Sequence, residues 1–166
     1  VPQMHDLFAE IVANLPGDAR AILDLGAGTG NLLKEVSKAR PDAALYALDP
    51  SGSMLGVLQL KFGSGSVRNI VGSAHAIDMP DGSVDAVVSN YALHHLTHEE
   101  KRICVREVFR VLRPGGKFVY GDQHCRKMGG PDDPVWAAAM FSLLSDKAMH
   151  YLRTAGLERL LLPADR

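Results

Sequence analysis

A chain of 166 residues with 46% hydrophobic and 22% charged residues has the mixture of an ordinary globular protein, enough for one continuous core and short for two, which excludes disordered and fibrous classes. A formal net charge of -1 supplies no global field to draw in nucleic acid, so a small-molecule partner is expected before RNA or DNA. Cys104 and Cys125 form no C-x-x-C pair, no apolar stretch approaches the roughly 18 to 20 residues that span a bilayer, and Val1 opens no targeting region, so a reducing cytoplasm without membrane attachment is expected.

In chain order, Met4, Leu7, Phe8, Ile11, Val12 and Leu15 recur at helical spacing until Pro16-Gly17, which predicts a first helix over 4–15. Ala21–Leu25 is a short apolar run ending in glycines, and Asn31–Ala39 reads as a helix stopped before Pro41. Ala44–Leu48 is a second strand ending at Asp49-Pro50, after which Ser51 can cap a helix running to Phe62 and the Gly63–Ser66 linker. Val67–Val71 and Val84–Ser89 predict a third and a fourth strand, the latter after the Pro80-Asp81-Gly82 turn. Thr97 caps a further helix whose apolar face is expected to be Val105, Val108, Phe109 and Leu112. Arg102, Arg106 and Arg110 recur every four residues there, and the interleaved Glu99, Glu100 and Glu107 favour a solvated ion-pair face over a nucleic-acid stripe. Arg113–Gly116 ends that helix, Lys117–Gly121 supplies a fifth strand, Pro134 to about Ala155 a long helix, and Glu158–Leu162 a sixth strand. The alternation predicts one α/β domain over 1–166, with a doubly wound, Rossmann-like, mostly parallel sheet flanked by helices.

Ligands of such sheets bind outside the carboxyl ends of the strands. The first such place is Gly26-Ala27-Gly28-Thr29-Gly30, where glycines allow a tight turn and close backbone approach, and the next helix presents free N–H groups. Asp49 then stands where a carboxylate can accept both hydrogen bonds of a ribose diol. Asn31 at the position of a third dinucleotide glycine disfavours NAD, and the absence of Lys-Ser or Lys-Thr after Gly30 excludes a P-loop.

Leu23–Gly30, Ala47–Ser51 with Met54, Asp85–Leu96 and Val111–Lys117, four blocks in this order, resemble the class I S-adenosylmethionine-dependent methyltransferases. In flavour they are similar to the quinone-biosynthesis and natural-product members. The resemblance implies S-adenosylmethionine as cofactor, with its methionine part on Gly26, Ala27, Gly28 and Gly30, its ribose on Asp49 beside Pro50, and its adenine on Met54. Asp24 could serve the ammonium, directly or through water, or could simply orient the turn. The family often carries an Asp-Ala pair after the third strand; here Ser73-Ala74 stands there, and Asp78 is read as a loop acid rather than its substitute. Asn90 and Tyr91 are assigned to the methionine end or the acceptor. The segment lacks the Asn-Pro-Pro-Tyr pattern of base-amine methylation, which counts against nucleic acid.

His94 and His98 are spaced i, i+4, but metal is disfavoured, and by the resemblance one histidine of the His94-His95 pair lies near the cofactor, here assigned as His95. Methyl transfer is mainly a matter of alignment, and if a base is needed His95, Asp122 and His124 are the candidates. Trp136, Met140, Phe141, Leu144 and Met149 line an acceptor pocket or pack in the core. The expected activity is methyl transfer to oxygen, nitrogen or carbon of a small molecule; the alternative is a non-catalytic module holding S-adenosylmethionine or S-adenosylhomocysteine. The family's last strand pair has room for only one strand before the chain ends, which implies a shortened chain, omitted disordered residues, or a homodimer whose partner covers the edge.

Overall fold

The computed structural model describes residues 4–122. The helix expected over Pro134–Ala155, the strand over Glu158–Leu162, His124 and the Trp136–Met149 cluster lie outside them. The described elements are α1 (Met4–Ala13), β1 (Ala21–Leu25), α2 (Asn31–Ala39), β2 (Ala44–Asp49), α3 (Gly52–Phe62), β3 (Val67–Val71), β4 (Val84–Asn90), a 3-10 turn at Leu93–His95, α4 (His98–Val111) and β5 (Leu112–Gly121). None of the described helices is long and apolar enough to cross a membrane.

The strands form one parallel sheet in the order β3-β2-β1-β4-β5. The chain winds outward from β1 through β2 and β3, then returns to the other side of β1 for β4 and β5. The order therefore reverses between β1 and β4, and a crevice opens at their carboxyl ends. Every residue of β1 is buried, as a central parallel strand covered on both faces requires.

Two apolar layers close on the sheet. On one face Phe8 and Ile11 of α1, Leu33 and Val36 of α2, and Leu55 and Leu58 of α3 pack over Ile22, Ala47 and Val88. On the other, Cys104, Val108 and Val111 of α4, with Ile77 and Met79, cover Leu23, Leu48 and Val87. Packing through Cys104, Val108 and Val111 corrects the expected face of α4. Val105 and Phe109 sit one position further round the helix and are 56% and 82% exposed.

Helix starts follow the expected chemistry. The Ser51 side chain accepts the Met54 N–H at 3.3 Å. At α4, Thr97 Oγ1 accepts from the Glu100 N–H while Glu100 Oε2 accepts from the Thr97 N–H at 2.7 Å, a reciprocal capping box. The strand after α4 begins earlier than expected. Val84 pairs with Leu112 and Ala86 with Lys117, so a step of two positions along β4 is matched by a step of five along β5. The Pro114-Gly115-Gly116 turn is thus an excursion within β5 rather than a break before it, and a Cβ at Gly116 would come within 2.9 Å of the Asp85 carbonyl oxygen. Asp85 anchors the same end by accepting from the Ala21 N–H at 2.9 Å and Arg113 at 2.6 Å.

Candidate functional site

The glycine turn rises from the end of β1 at the reversal point. The N–H groups of Gly26 and Ala27 both donate to the Leu48 carbonyl, at 2.8 and 3.0 Å, which ties the turn to the end of β2. Gly26, Gly28 and Gly30 all have positive φ, a backbone that side chains resist. A Cβ at Gly26 would collide with the Ala92 methyl, and one at Gly30 would press within 2.8 Å of Leu58. Gly28 is different: a Cβ there would meet nothing within 4 Å, because this glycine faces a cavity. Gly30 is the N-cap of α2 and provides no side-chain cap, so the first N–H groups of that helix keep their affinity for an anionic group.

Asp49 closes the turn from the neighbouring strand. Its Oδ2 accepts the Gly28 N–H at 2.8 Å and its Oδ1 accepts the Ser51 N–H at 2.8 Å. A carboxylate has about four acceptor positions, so these two bonds fix its orientation and leave room for a diol. Lys61 clamps the outer side of the turn, donating to the Thr29 carbonyl at 2.9 Å, Thr29 Oγ1 at 3.0 Å and Asn31 Oδ1 at 2.9 Å. Sequence reasoning missed Lys61, since a lysine near a helix end carries no signal of a contact thirty positions away.

The cavity measures about 490 Å³, within the ordinary range for a small-molecule site. Gly26, Gly28, Asp49, Pro50 and Met54 line it together with Ser73 and Ala74 and with Tyr91 and His95. Nine of the expected residues thus meet on one cavity. Leu25, Leu48, Ser51, Ala92, Leu93 and Leu96 complete its wall. Ala27, Gly30, Asp24 and Asn90 are not part of this lining, and Ala27 belongs to the apolar core. Ser73 Oγ pairs with His75 Nδ1 at 2.7 Å, whereas Asp78 is exposed and outside the lining.

Near the carboxyl ends of β1 and β4, two buried oxygens lack hydrogen-bond partners among the described residues, Asp24 Oδ2 and Asn90 Oδ1. Asp24 is 1% exposed. Burial, and secondly the Asp49 charge, pushes its carboxyl up to about 8, which favours the protonated form near neutral pH. Ser89 ties the two strands together here, its Oγ donating to the Leu25 carbonyl at 2.8 Å. Tyr91 follows Asn90 with φ 50, a left-handed conformation that costs a non-glycine residue roughly 1 kcal/mol or more. Its N–H donates to the Gly121 carbonyl at 2.9 Å, and the reversal carries Ala92 over Gly26.

The two histidines divide as the assignment of His95 to the site expects. His95 lines the cavity, while His94 turns to the strand tips. The Asp122 carboxylate accepts from the His94 N–H at 2.9 Å and pairs with its Nδ1 at 2.7 Å. No three His, Cys, Asp or Glu side chains among the described residues form a group suited to a metal ion. Arg110 is redistributed. It was expected on a solvated face, yet it donates to the carbonyls of Met79 and Ile77, each at 2.8 Å, and pairs with Asp81 and Glu107. It therefore pins the loop between β3 and β4 whose start, Ser73-Ala74, lines the cavity. Arg102 keeps the expected role, 3.8 Å from Glu99.

An oriented carboxylate for a diol, the apolar faces of Met54, Leu93 and Leu96 for a flat ring, backbone N–H groups at a helix start, and buried unmatched oxygens suit a nucleoside carrying both an anionic and a cationic group. Comparison with known proteins points the same way. The profile of the family described as "Methyltransferase domain" matches residues 22–116. An uncharacterized methyltransferase of Anoxybacillus flavithermus is 35% identical over 124 residues, 72% of this chain and 57% of its own. Among solved structures, the YcgJ protein of Bacillus subtilis has a TM-score of 0.62 and 30% identity over 79% of this chain and 54% of its own. An S-adenosylmethionine-dependent methyltransferase of Mesorhizobium loti has a TM-score of 0.60 and 28% identity over 70% and 53%. The chain thus spans a little over half the length of each of these relatives.

Proposed function

The chain belongs to the methyltransferase-domain family, and from that premise we propose that it binds S-adenosylmethionine and transfers its methyl group to a small-molecule acceptor. The observation that carries this reading is the union of Asp49 with Gly28 at the wall of a cavity sited where the strand order reverses. When bound, the cofactor supplies an activated methyl carbon on a sulfonium.

The remaining work falls to the chain. Backbone N–H groups of the Gly26–Gly28 turn and the start of α2 hold the amino-acid carboxylate, and Asp49 receives the ribose hydroxyls. Met54 lies against one face of the adenine, with Ser73 and Ala74 at its edge. Asp24 and Asn90 supply acceptors for the ammonium, which is what their unmatched oxygens support. Tyr91 and His95 border the methionine end. Alignment of acceptor, methyl carbon and sulfur is then the main catalytic contribution. A net charge of -1 and arginines engaged with Glu99, Glu107 and Asp81 support a small acceptor over a nucleic acid. The free Cys104 thiol supports a reducing cytoplasm.

Calorimetric titration with S-adenosylmethionine, S-adenosylhomocysteine and NAD tests the reading. Binding of both S-adenosyl compounds with no NAD isotherm is expected, and NAD binding alone overturns it. Transfer of radiolabelled methyl to an acceptor separates an enzyme from a module that only holds the cofactor.

A further inference from the structure

The glycine turn is gripped from two sides. On the side of β2, the Leu48 carbonyl and the Asp49 carboxylate accept its N–H groups. On the side of α3 a single ammonium does the holding: Lys61 Nζ donates to the Thr29 carbonyl at 2.9 Å, to Thr29 Oγ1 at 3.0 Å and to Asn31 Oδ1 at 2.9 Å. An ammonium has three donors, so all of them are spent on the two residues that flank Gly30. Lys61 lies in the last turn of α3. Its helical neighbours Leu58 and Phe62 close on Gly30 itself, where a Cβ would come within 2.8 Å of the first and 3.1 Å of the second.

For α2 alone this charge has the wrong sign. The amino end of a helix carries a positive partial charge, so carboxylates are favoured there and cations are not. α2 begins at Asn31 with no acidic residue in its first turn and no side-chain cap from Gly30, yet it receives a full positive charge on its first residue. Glu35, one turn further along, is paired with Lys38 at 2.7 Å. The turn, the first N–H groups of α2 and Lys61 therefore make one positive end, and an anion completes such an end.

We propose that Lys61 is a positioning residue that makes this site select a ligand bearing a carboxylate. It holds the Thr29–Asn31 segment so that the start of α2 meets the carboxylate of S-adenosylmethionine, and its charge adds to the attraction. The inference rests on the cofactor assignment above. Lys61 does not line the cavity, so it acts through the backbone it bonds and through its field, which reaches about 8 Å at physiological ionic strength. Met54, in the first turn of the same helix, does line the cavity. α3 thus serves both ends of the cofactor, the adenine directly and the amino acid through its last turn.

The test is calorimetric, on the whole chain, with three ligands: S-adenosylhomocysteine, which carries carboxylate and ammonium; decarboxylated S-adenosylhomocysteine, which keeps the ammonium alone; and 5′-methylthioadenosine, which has neither. Lys61→Met keeps the length of the side chain and removes its charge and donors. It should weaken S-adenosylhomocysteine binding by about fivefold, the size of one favourable charge at a helix end, and leave the other two ligands within about twofold. Raising the salt should weaken S-adenosylhomocysteine binding more in the wild-type chain than in Lys61→Met. Lys61→Gln keeps a donor without the charge and should rank the three ligands in the same order of loss. An equal loss for all three ligands would make Lys61 a support of the turn with no part in selection and overturn the proposal, as would unchanged S-adenosylhomocysteine affinity in both variants. Absence of S-adenosylhomocysteine binding to the wild-type chain instead sinks the cofactor reading beneath it.

Discussion

The Asp49 carboxylate accepts the Gly28 N–H at 2.8 Å across 21 positions of sequence. The acid and the glycine turn are therefore one object, and the acid is aimed before any ligand arrives. Asp49→Ala should weaken S-adenosylmethionine binding by about 10- to 100-fold, the range set by loss of hydrogen bonds to a charged acceptor. Asp49→Asn should fall between, because its amide oxygen can still accept from Gly28. Unchanged affinity in both would place the ribose elsewhere.

Gly26 and Ala92 bring the turn and the segment after β4 into contact. Gly26→Ala adds a methyl at φ +76 against the Ala92 side chain, combining a conformational cost with overpacking, together about 2 to 4 kcal/mol. Ala92→Gly in the same chain removes the collision and leaves the φ cost. Urea unfolding of the two single variants and the double should therefore show a positive recovery of about 1 kcal/mol or more. Strict additivity would mean that the two segments do not touch.

Much of this site was legible. β1 and β2 announce themselves as five-residue apolar runs ending at glycines and at Asp49, because a central parallel strand must be apolar on both faces. Ser51 and Thr97 were legible as caps, since capping is a local act of side chain on nearby backbone. What escaped was long-range and depended on choice among similar residues. Nothing local distinguishes His94 from His95, and only the folded sheet brings Asp122 to one of them. The rule of helical neighbours placed Arg110 on a charged face, but it sees one helix and not the loop packed on it. Val105 and Phe109 show the same limit, as a shift of one residue rotates the buried stripe by about 100°.

Arg110 supplies the third prediction. It pairs with Glu107 and Asp81 and caps the Ile77 and Met79 carbonyls, while Glu107 Oε2 also accepts the Ile77 N–H at 2.9 Å. Arg110→Ala should cost about 1 to 3 kcal/mol in urea unfolding and weaken cofactor binding about two- to tenfold through the Ser73-Ala74 loop. Arg110→Lys should recover little, because an ammonium cannot reproduce the planar fork. Arg102→Ala, whose partner Glu99 is also exposed, should stay within about 0.5 kcal/mol. Equal effects at the two arginines would return Arg110 to the solvated face.

Asp24 makes stability depend on pH with a defined sign. Its carboxyl is raised from 3.8 to about 8, first by burial and then by the Asp49 charge. Between those values the unfolded chain has lost the proton and the native chain keeps it, so the native state binds more protons and stability falls as pH rises. Below the unfolded value the group contributes no difference, and above about 8 the full cost of a buried carboxylate is present. Each unit of pH inside the window is worth at most about 1.4 kcal/mol. Asp24→Asn keeps a polar side chain of similar size without the charge, so other titrating groups cancel in the comparison. From pH 5 to pH 7 the wild-type chain should lose on the order of 2 kcal/mol relative to Asp24→Asn in urea unfolding. Asp49→Asn removes the second cause of the shift and should narrow the window from its upper end. A difference between wild type and Asp24→Asn that stays flat over this range would mean that Asp24 is ionised in the native chain. The unmatched Oδ2 would then need a cationic partner already in place before the cofactor binds.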